Sequence, residues 1–214
     1  EIYTLSLHDA LPIFDLILGI DFGTSTTVLR FRMADSDAIY PVKDRYDGCD
    51  YIPTVMFKPQ NEAEKRLYGN EALNATDEGK TPGELISNFK MGFYDSDPVV
   101  REECKNYIKD FFVFLYECFA QSTSGRVYDQ LEVRVSYPAK WGTAVDTNDS
   151  YVGFLKSAVS EGGFGAVPLV ITSVSEPKAA ALHLLNHHLP DKSILSYNKP
   201  LYVFMLDMGA GTTD

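Results

Sequence analysis

The feature that most restricts the fold is a short pattern that occurs twice. Leu16 to Ile20 is an apolar run that leads into Asp21, followed by Gly23, Thr24, Ser25, Thr26 and Thr27. Tyr202 to Leu206 leads in the same way into Asp207, followed by Gly209, Ala210, Gly211, Thr212 and Thr213. Both copies spell Asp, any residue, Gly, any residue, a small residue, Thr, Thr. They stand near opposite ends of the chain, so they mark a duplicated strand and turn rather than a short solenoid repeat. One copy alone is equally an ordinary hairpin turn. Two copies after apolar strands point to a shared chemical task. Glycine lets the backbone approach a ligand with its N–H groups outward, the hydroxyls add donors, and a carboxylate at the strand end can hold hydrated Mg²⁺. Facing each other, two such turns clamp a nucleoside triphosphate.

The 214 residues leave room for one large domain or two small ones, and 45% hydrophobic content suffices for a packed core. A formal net charge of −11 speaks against a nucleic-acid partner, which needs a basic face. A Mg-nucleotide is held by a local site that tolerates overall acidity. Cys49, Cys104 and Cys118 are an odd number without a Cys-x-x-Cys pair. Cys104 and Cys118 fall in one expected helix, about 21 Å apart along its axis and beyond disulfide reach. The thiols therefore read as reduced and buried, and the protein as cytoplasmic. No apolar run reaches membrane-spanning length and no basic-then-apolar leader stands at the start, so no membrane partner is expected.

From Asp15 the chain begins as a β-meander. Leu16 to Ile20 reads as a central strand apolar on both faces, and Thr26 to Met33, rich in β-branched and aromatic residues, as its hairpin partner. Ala38 to Val42 predicts a third strand, and Tyr51 to Phe57 a short edge segment interrupted by Pro53. Residues 58–83 read as polar loop with one short helix from Asn70. The period then changes. Asp97 is a good N-cap ahead of Pro98, and Val100, Cys104, Ile108, Phe111, Leu115 and Phe119 recur at helical spacing, predicting a long amphipathic helix whose aromatic stripe faces a core. Leu131 to Tyr137 follows as a strand stopped by Pro138. A helix from about Asp149 turns Tyr151, Phe154, Leu155, Ala158 and Val159 inward and ends at Gly162-Gly163. Leu169 to Val174 is the next strand, Pro177 opens the helix through Ala179 to Leu185, and Leu201 to Leu206 carries the second turn.

Three antiparallel strands, then strand, helix, strand and helix, predict an α/β fold with a mixed five-stranded sheet flanked by helices. The first residue is not Met, and Tyr3 to Ile13 reads like the translation of a sequencing-adapter oligonucleotide. Residues 1–14 are therefore expected to be a non-native scar or disordered arm. Residues 15–190 are expected to form the first half of the fold and 191–214 the start of a truncated second half.

This order, with its duplicated phosphate turn, resembles the actin-like ATPase superfamily, whose two halves share a ribonuclease-H-like core and close on ATP. Within it, the chain from about Leu16 to Asp214 is similar to the nucleotide-binding domain of the 70-kDa heat-shock (DnaK-type) chaperones. Gly19 to Thr26 looks like that family's first phosphate motif, and Tyr51-Ile52-Pro53-Thr54 like the segment after its third strand. Phe89-Lys90-Met91-Gly92 sits where the family carries a catalytic lysine. Val135-Ser136-Tyr137-Pro138-Ala139 resembles its strand ending in Val-Pro-Ala, and Ser175-Glu176-Pro177-Lys178-Ala179-Ala180-Ala181 its Asn-Glu-Pro-Thr-Ala-Ala-Ala helix. Asp207 to Asp214 matches the second phosphate motif. Tyr137, Lys178 and Ala210 depart from the family's Val, Thr and Gly, and the Lys90 segment lacks its Lys-Arg-Leu-Ile-Gly-Arg wording, which places the chain among divergent members.

The resemblance implies an ATP- and ADP-binding, ATP-hydrolysing domain of a chaperone. Asp21 and Asp207 would hold Mg²⁺ mainly through bound water. Backbone groups at Gly23, Thr24, Ser25, Gly209, Ala210 and Gly211 would cradle phosphates, with Thr24, Thr26 and Thr212 adding hydroxyls. Lys90 would set a cation against the γ-phosphate, Glu176 would orient the attacking water or the metal's water shell, and Asp207 would share the catalytic duty. In the full-length protein the implied partners are unfolded peptide clients and co-chaperones. The 214 residues alone are expected to bind ATP weakly or not at all and to be inactive, since only one wall of the cleft is complete.

Plainer readings stand beside these. Lys90 is also an ordinary surface lysine by type, and Glu176 an ordinary cap before Pro177. His183 and His187, four apart on a helix, have metal-ligand spacing but no carboxylate or cysteine to complete a site, and with His188 read as surface histidines. Trp141 reads as a packing residue and Gly162 to Gly165 as a helix stop. A sugar or small-acid kinase of the same superfamily, or an actin-like assembly protein, are the alternative functions.

Overall fold

The computed structural model describes residues 15–78, 82–141 and 150–187. Its first unit is a hairpin of β1 (Leu16–Phe22) and β2 (Thr26–Met33), paired antiparallel from Leu16 against Met33 to Phe22 against Thr27. β3 (Tyr40–Pro41) and β4 (Ile52–Pro53) add short ladders to β2. The third strand is shorter than the expected Ala38 to Val42, since Pro41 has no N–H to donate. The single edge segment expected from Tyr51 to Phe57 is instead split. After β4 the chain leaves the first sheet, and β5 (Val55–Pro59) becomes the centre of a second, in the order β6 (Leu67–Tyr68), β5, β7 (Gly83–Ser87). The predicted short helix, α1 (Gly69–Glu78), packs on this sheet around Val55, Phe57 and Ala72. The two strands within residues 58–87 were not foreseen, because short, mostly polar segments carry no alternation that can be read.

Asp97 caps α2 (Pro98–Ser122) as the sequence predicts: its carboxylate accepts the Val99 N–H at 2.8 Å. Ile108, Phe111, Leu115 and Phe119 are buried, whereas Val100, one turn from the start, is exposed. β8 (Leu131–Tyr137), α3 (Tyr151–Glu161), β9 (Leu169–Ser175) and α4 (Glu176–His187) follow as expected. Ser150 caps α3 by accepting the Gly153 N–H at 3.0 Å. α3 stops at Gly163, whose φ of +114° and a Tyr116 ring 2.6 Å from any added Cβ leave room for glycine alone.

β8 lies parallel to β1, and β9 parallel to β8, so the large sheet runs β3-β2-β1-β8-β9 with β4 as an extra partner of β2. Parallel neighbours require crossovers, which α2 and α3 supply. The fold is thus a mixed α/β sheet flanked by helices, with six strands among the described residues where five were expected. β1 was expected to be apolar on both faces, but it alternates. Leu16, Leu18, Ile20 and Phe22 are fully buried in the cluster they share with Phe111 and Phe112 of α2 and Leu155 of α3, while Asp21 on the other face is exposed. That second face is bordered by α4, so one strand serves a core and a site at once.

The three cysteines are free, but of the buried thiols expected only Cys118 is buried, with Cys104 half-buried and Cys49 exposed. Among the described residues no helix is long and apolar enough to cross a membrane. Residues 1–14, the strand expected from Leu201 to Leu206, the second turn and the expected division at residue 190 lie outside the described residues.

Candidate functional site

The turn between β1 and β2 is closed so tightly that a Cβ at Gly23 would sit 2.3 Å from the Thr26 carbonyl oxygen. Any side chain there would force the turn open, which is the close approach that the sequence pattern requires of its glycine. Thr24 is nearly buried, and Ser25 and Thr26 are exposed at the tip. Asp21 precedes the turn on the exposed face of β1. Because β8 runs parallel to β1, with Ile20 beside Val135, Ser136 lies next to Asp21, and its hydroxyl donates to Asp21 Oδ1 at 2.7 Å. One carboxylate oxygen is thereby held and the aspartate rotamer set.

Lys90 arrives from a different part of the chain. It follows β7 through Asn88, which has a φ of +58°, and precedes a short 3-10 turn at Met91–Tyr94. Although lysine is almost never fully buried without a partner, Lys90 is 2% exposed. Its Nζ donates to the carbonyl oxygen of Phe22 at 2.6 Å and to Glu176 Oε1 at 3.1 Å. The same ammonium stands 5.6 Å from the centre of the Phe22 ring and 5.7 Å from that of Trp141, within range of a cation–π attraction. Glu176, the first residue of α4, brings its carboxylate inward to this lysine instead of spending it on solvent. A buried pair of this kind is a weak source of stability, because desolvation offsets much of the Coulomb gain. It does hold two charged groups in one place.

Behind the pair lies an aromatic cluster in which Trp141 meets Tyr151 at 4.6 Å and Phe93 meets Tyr151 at 4.9 Å between ring centres. Burial first, and the charge of Glu176 second, push the Tyr151 hydroxyl well above the usual tyrosine range, so it stays protonated. That hydroxyl has no hydrogen-bond partner among the described residues.

A cavity of about 940 Å³ opens onto these groups. Asp21, Gly23, Thr24, Ser25, Thr26, Lys90 and Glu176, seven residues singled out from sequence, all line it. Asp207, Gly209, Ala210, Gly211 and Thr212 lie outside the described residues. The residues fit a Mg-nucleotide: a glycine cradle that a Cβ would fill, an exposed carboxylate at a strand end, and a fixed cation. The sequence reading missed Ser136, whose signal was its place on the same face of β8 as the cavity-lining Arg134, and it gave Trp141 no role beyond packing. His183 borders the cavity, but among the described residues no group of three His, Cys, Asp or Glu side chains could hold a metal ion.

No protein-family profile matches the chain, and no curated protein sequence matches it. Solved structures do match. A non-polymerising mutant of MamK bound to AMPPNP is 13% identical with a TM-score of 0.40, over 76% of this chain and 42% of that one. MreB5 of Spiroplasma citri bound to ADP is 14% identical with a TM-score of 0.46, over 84% of this chain and 43% of that one. The chain therefore spans less than half the length of either solved structure.

Proposed function

We propose that the chain forms the first wall of a Mg-ATP site in an actin-like ATPase, with Lys90 and Glu176 acting at the terminal phosphate. The observation that carries this reading is the convergence on one cavity of the Asp21 carboxylate, the glycine turn and the buried Lys90–Glu176 pair. These groups come from β1, the β1–β2 turn, the segment after β7 and the start of α4, so their meeting is a product of the whole fold. Mg²⁺, when bound, supplies positive charge across the phosphate oxygens.

Asp21 keeps one oxygen for the Ser136 hydroxyl and offers the other to the water shell of a cation. Lys90 has three N–H donors; two are taken by Phe22 and Glu176, and the third is available to a phosphate oxygen. Glu176, tied to Lys90, orients a water against the terminal phosphate. Backbone N–H groups of the Gly23–Thr26 turn cradle phosphate oxygens. Asp207, Gly209, Ala210, Gly211 and Thr212 form the facing jaw in this proposal, supported by the repeated pattern alone.

Two finer readings follow from the same site. The Lys90, Glu176 and Pro177-to-Ala181 combination supports a chaperone-type ATPase with peptide clients, a reading that the matched solved structures do not support. A self-assembling actin-like protein sits closer to the names of those structures. Single-turnover hydrolysis by the complete gene product tests the shared activity: ATP is cleaved in a Mg²⁺-dependent reaction, and Lys90→Ala slows it. A Lys90→Ala rate equal to the parent's would remove Lys90 from the mechanism. Pelleting upon ATP addition then marks an assembly protein, and ATP-dependent release of an unfolded peptide marks a chaperone.

A further inference from the structure

Three hydrogen bonds join Thr54 to three different residues in and beside the β1–β2 turn. Its hydroxyl donates to the Gly23 carbonyl at 3.0 Å, its N–H donates to the Ser25 carbonyl at 2.9 Å, and its hydroxyl oxygen lies 2.8 Å from that of Thr27. A carbonyl oxygen can only accept, and a threonine hydroxyl carries one proton. Thr54 gives that proton to Gly23, so Thr27 is the donor in the hydroxyl pair, and the bonds run Thr27 to Thr54 to Gly23. Both threonines are 0% exposed, which removes competing water and strengthens each link.

We propose that Thr54, supported by Thr27, is a positioning residue that presets the turn for an oxyanion. In a trans peptide the C=O and the following N–H point to opposite sides of one plane. Holding the Gly23 carbonyl toward Thr54 commits the Thr24 N–H to the far side, and holding the Ser25 carbonyl does the same for the Thr26 N–H. Thr24 and Thr26 line the cavity; Thr54 does not. The donors are thus arranged before any ligand arrives, and binding need not turn carbonyl dipoles away from a phosphate. The two threonines that end the repeated pattern therefore differ in task. Thr26 is exposed at the cavity, while Thr27 points into the protein and shapes the turn from behind. This rests on the Mg-ATP reading, which supplies the oxyanion.

The test is an NMR titration of the ¹⁵N-labelled complete gene product with Mg-ATP, following the amide signals of Gly23 to Thr26. Thr54→Val keeps the shape and the backbone N–H but deletes the hydroxyl, and is expected to weaken binding about tenfold. Thr54→Ser restores affinity to within about twofold, and Thr27→Val falls between. Phe111→Leu, a destabilised variant on the opposite face, keeps the parent's affinity and so separates positioning from stability. Unchanged affinity in Thr54→Val beside a binding parent overturns the inference and leaves the ATP reading standing. If Thr54→Val does not fold, Thr27→Val decides, and parental affinity there overturns the inference. A complete parent protein whose turn amides do not respond to Mg-ATP overturns the ATP reading, and the inference with it.

Discussion

The two faces of the large sheet are made by the same strands and answer to different demands. On one, Leu18, Phe22, Val133 and Val135 are buried with Phe111, Phe112 and Leu155 from α2 and α3. On the other, the alternate residues Asp21, Arg30, Arg134 and Ser136 border the cavity. Side chains alternate along a strand, so a single residue step from Phe22 to Asp21 crosses from packing to chemistry. The packed face depends on volume and apolar area, with Phe22 lying edge-on to Phe112 at 5.3 Å and tilted against Phe111 at 6.1 Å. The cavity face depends on a few bonds of defined length. Substitutions on the first should change stability, and substitutions on the second should change binding and rate.

The largest effect expected is on the packed face. Phe111→Ala empties the centre of the aromatic cluster and should lower unfolding free energy by about 3–5 kcal/mol in a urea titration. The fraction that remains folded keeps its Mg-ATP response at Gly23 to Thr26. Loss of that response at unchanged fold would show that the two faces are not separable. Next comes Lys90→Ala, where single-turnover hydrolysis in the complete protein should fall about a hundredfold. Its thermal melt should fall as well, because removing the cation from a buried pair leaves the Glu176 charge without that compensation, so the rate and not the melt assigns Lys90 to the cavity face. A variant as unstable as Phe111→Ala with an unchanged rate would reverse the assignment of Lys90.

Alkali provides a third probe, directed at the packed side. Burial pushes the Cys118 thiol from about 9.0 up to about 12, and burial foremost pushes Tyr68 from 10.0 to about 12. Tyr151 moves in the same direction. A raised value means that the folded state keeps a proton the unfolded chain releases. The stability involved is complete below the unfolded-state value and is lost as pH rises above it. Melting temperature should therefore hold from neutrality to about pH 8.5 and decline above about 9, more steeply past 10 as the tyrosines join. Cys118→Ala should flatten the first part of the decline, by about 1 kcal/mol at pH 10. A decline equally steep in that variant would place the alkali-sensitive group elsewhere.

Much of this arrangement can be read in the residues, and the remainder depends on tertiary bonds. The Asp97-Pro98 start of α2, the Leu131 to Tyr137 strand and the inward row of α3 follow from caps and period, which are local. Asp21 and its turn are legible because the pattern repeats. Lys90 and Glu176 were placed by family resemblance; their burial and their 3.1 Å contact are matters of packing that no spacing rule supplies. Thr54 carries no sequence signal of its role, since the groups it holds are backbone carbonyls and carbonyls are the same at every position. The second sheet escaped for a related reason: β6 has two residues, and its ladder to β5 is only Met56 against Tyr68 and Phe57 against Leu67, too short to leave a readable alternation. The facing jaw proposed for Asp207 to Thr213 rests on the repeated pattern.

The smallest effect expected is the most specific to the cavity face. Ser136 is 8% exposed and touches the Asp21 carboxylate through one hydrogen bond of 2.7 Å. Ser136→Ala leaves the fold of β8 intact, because the backbone pairing with β1 and β9 does not use the hydroxyl. The carboxylate, freed from one partner, then has more rotamers to lose when it meets a hydrated cation, a cost of the order of a single hydrogen bond. The Mg²⁺ concentration needed for half-maximal ATP binding should rise about threefold to fivefold in Ser136→Ala and return to the parent's in Ser136→Thr. Nucleotide binding without Mg²⁺ should be the same in all three, because Ser136 acts through the aspartate. A shift of equal size with and without the metal would mean that Ser136 shapes the nucleotide pocket directly, and the division of labour between Asp21 and the turn would have to be redrawn.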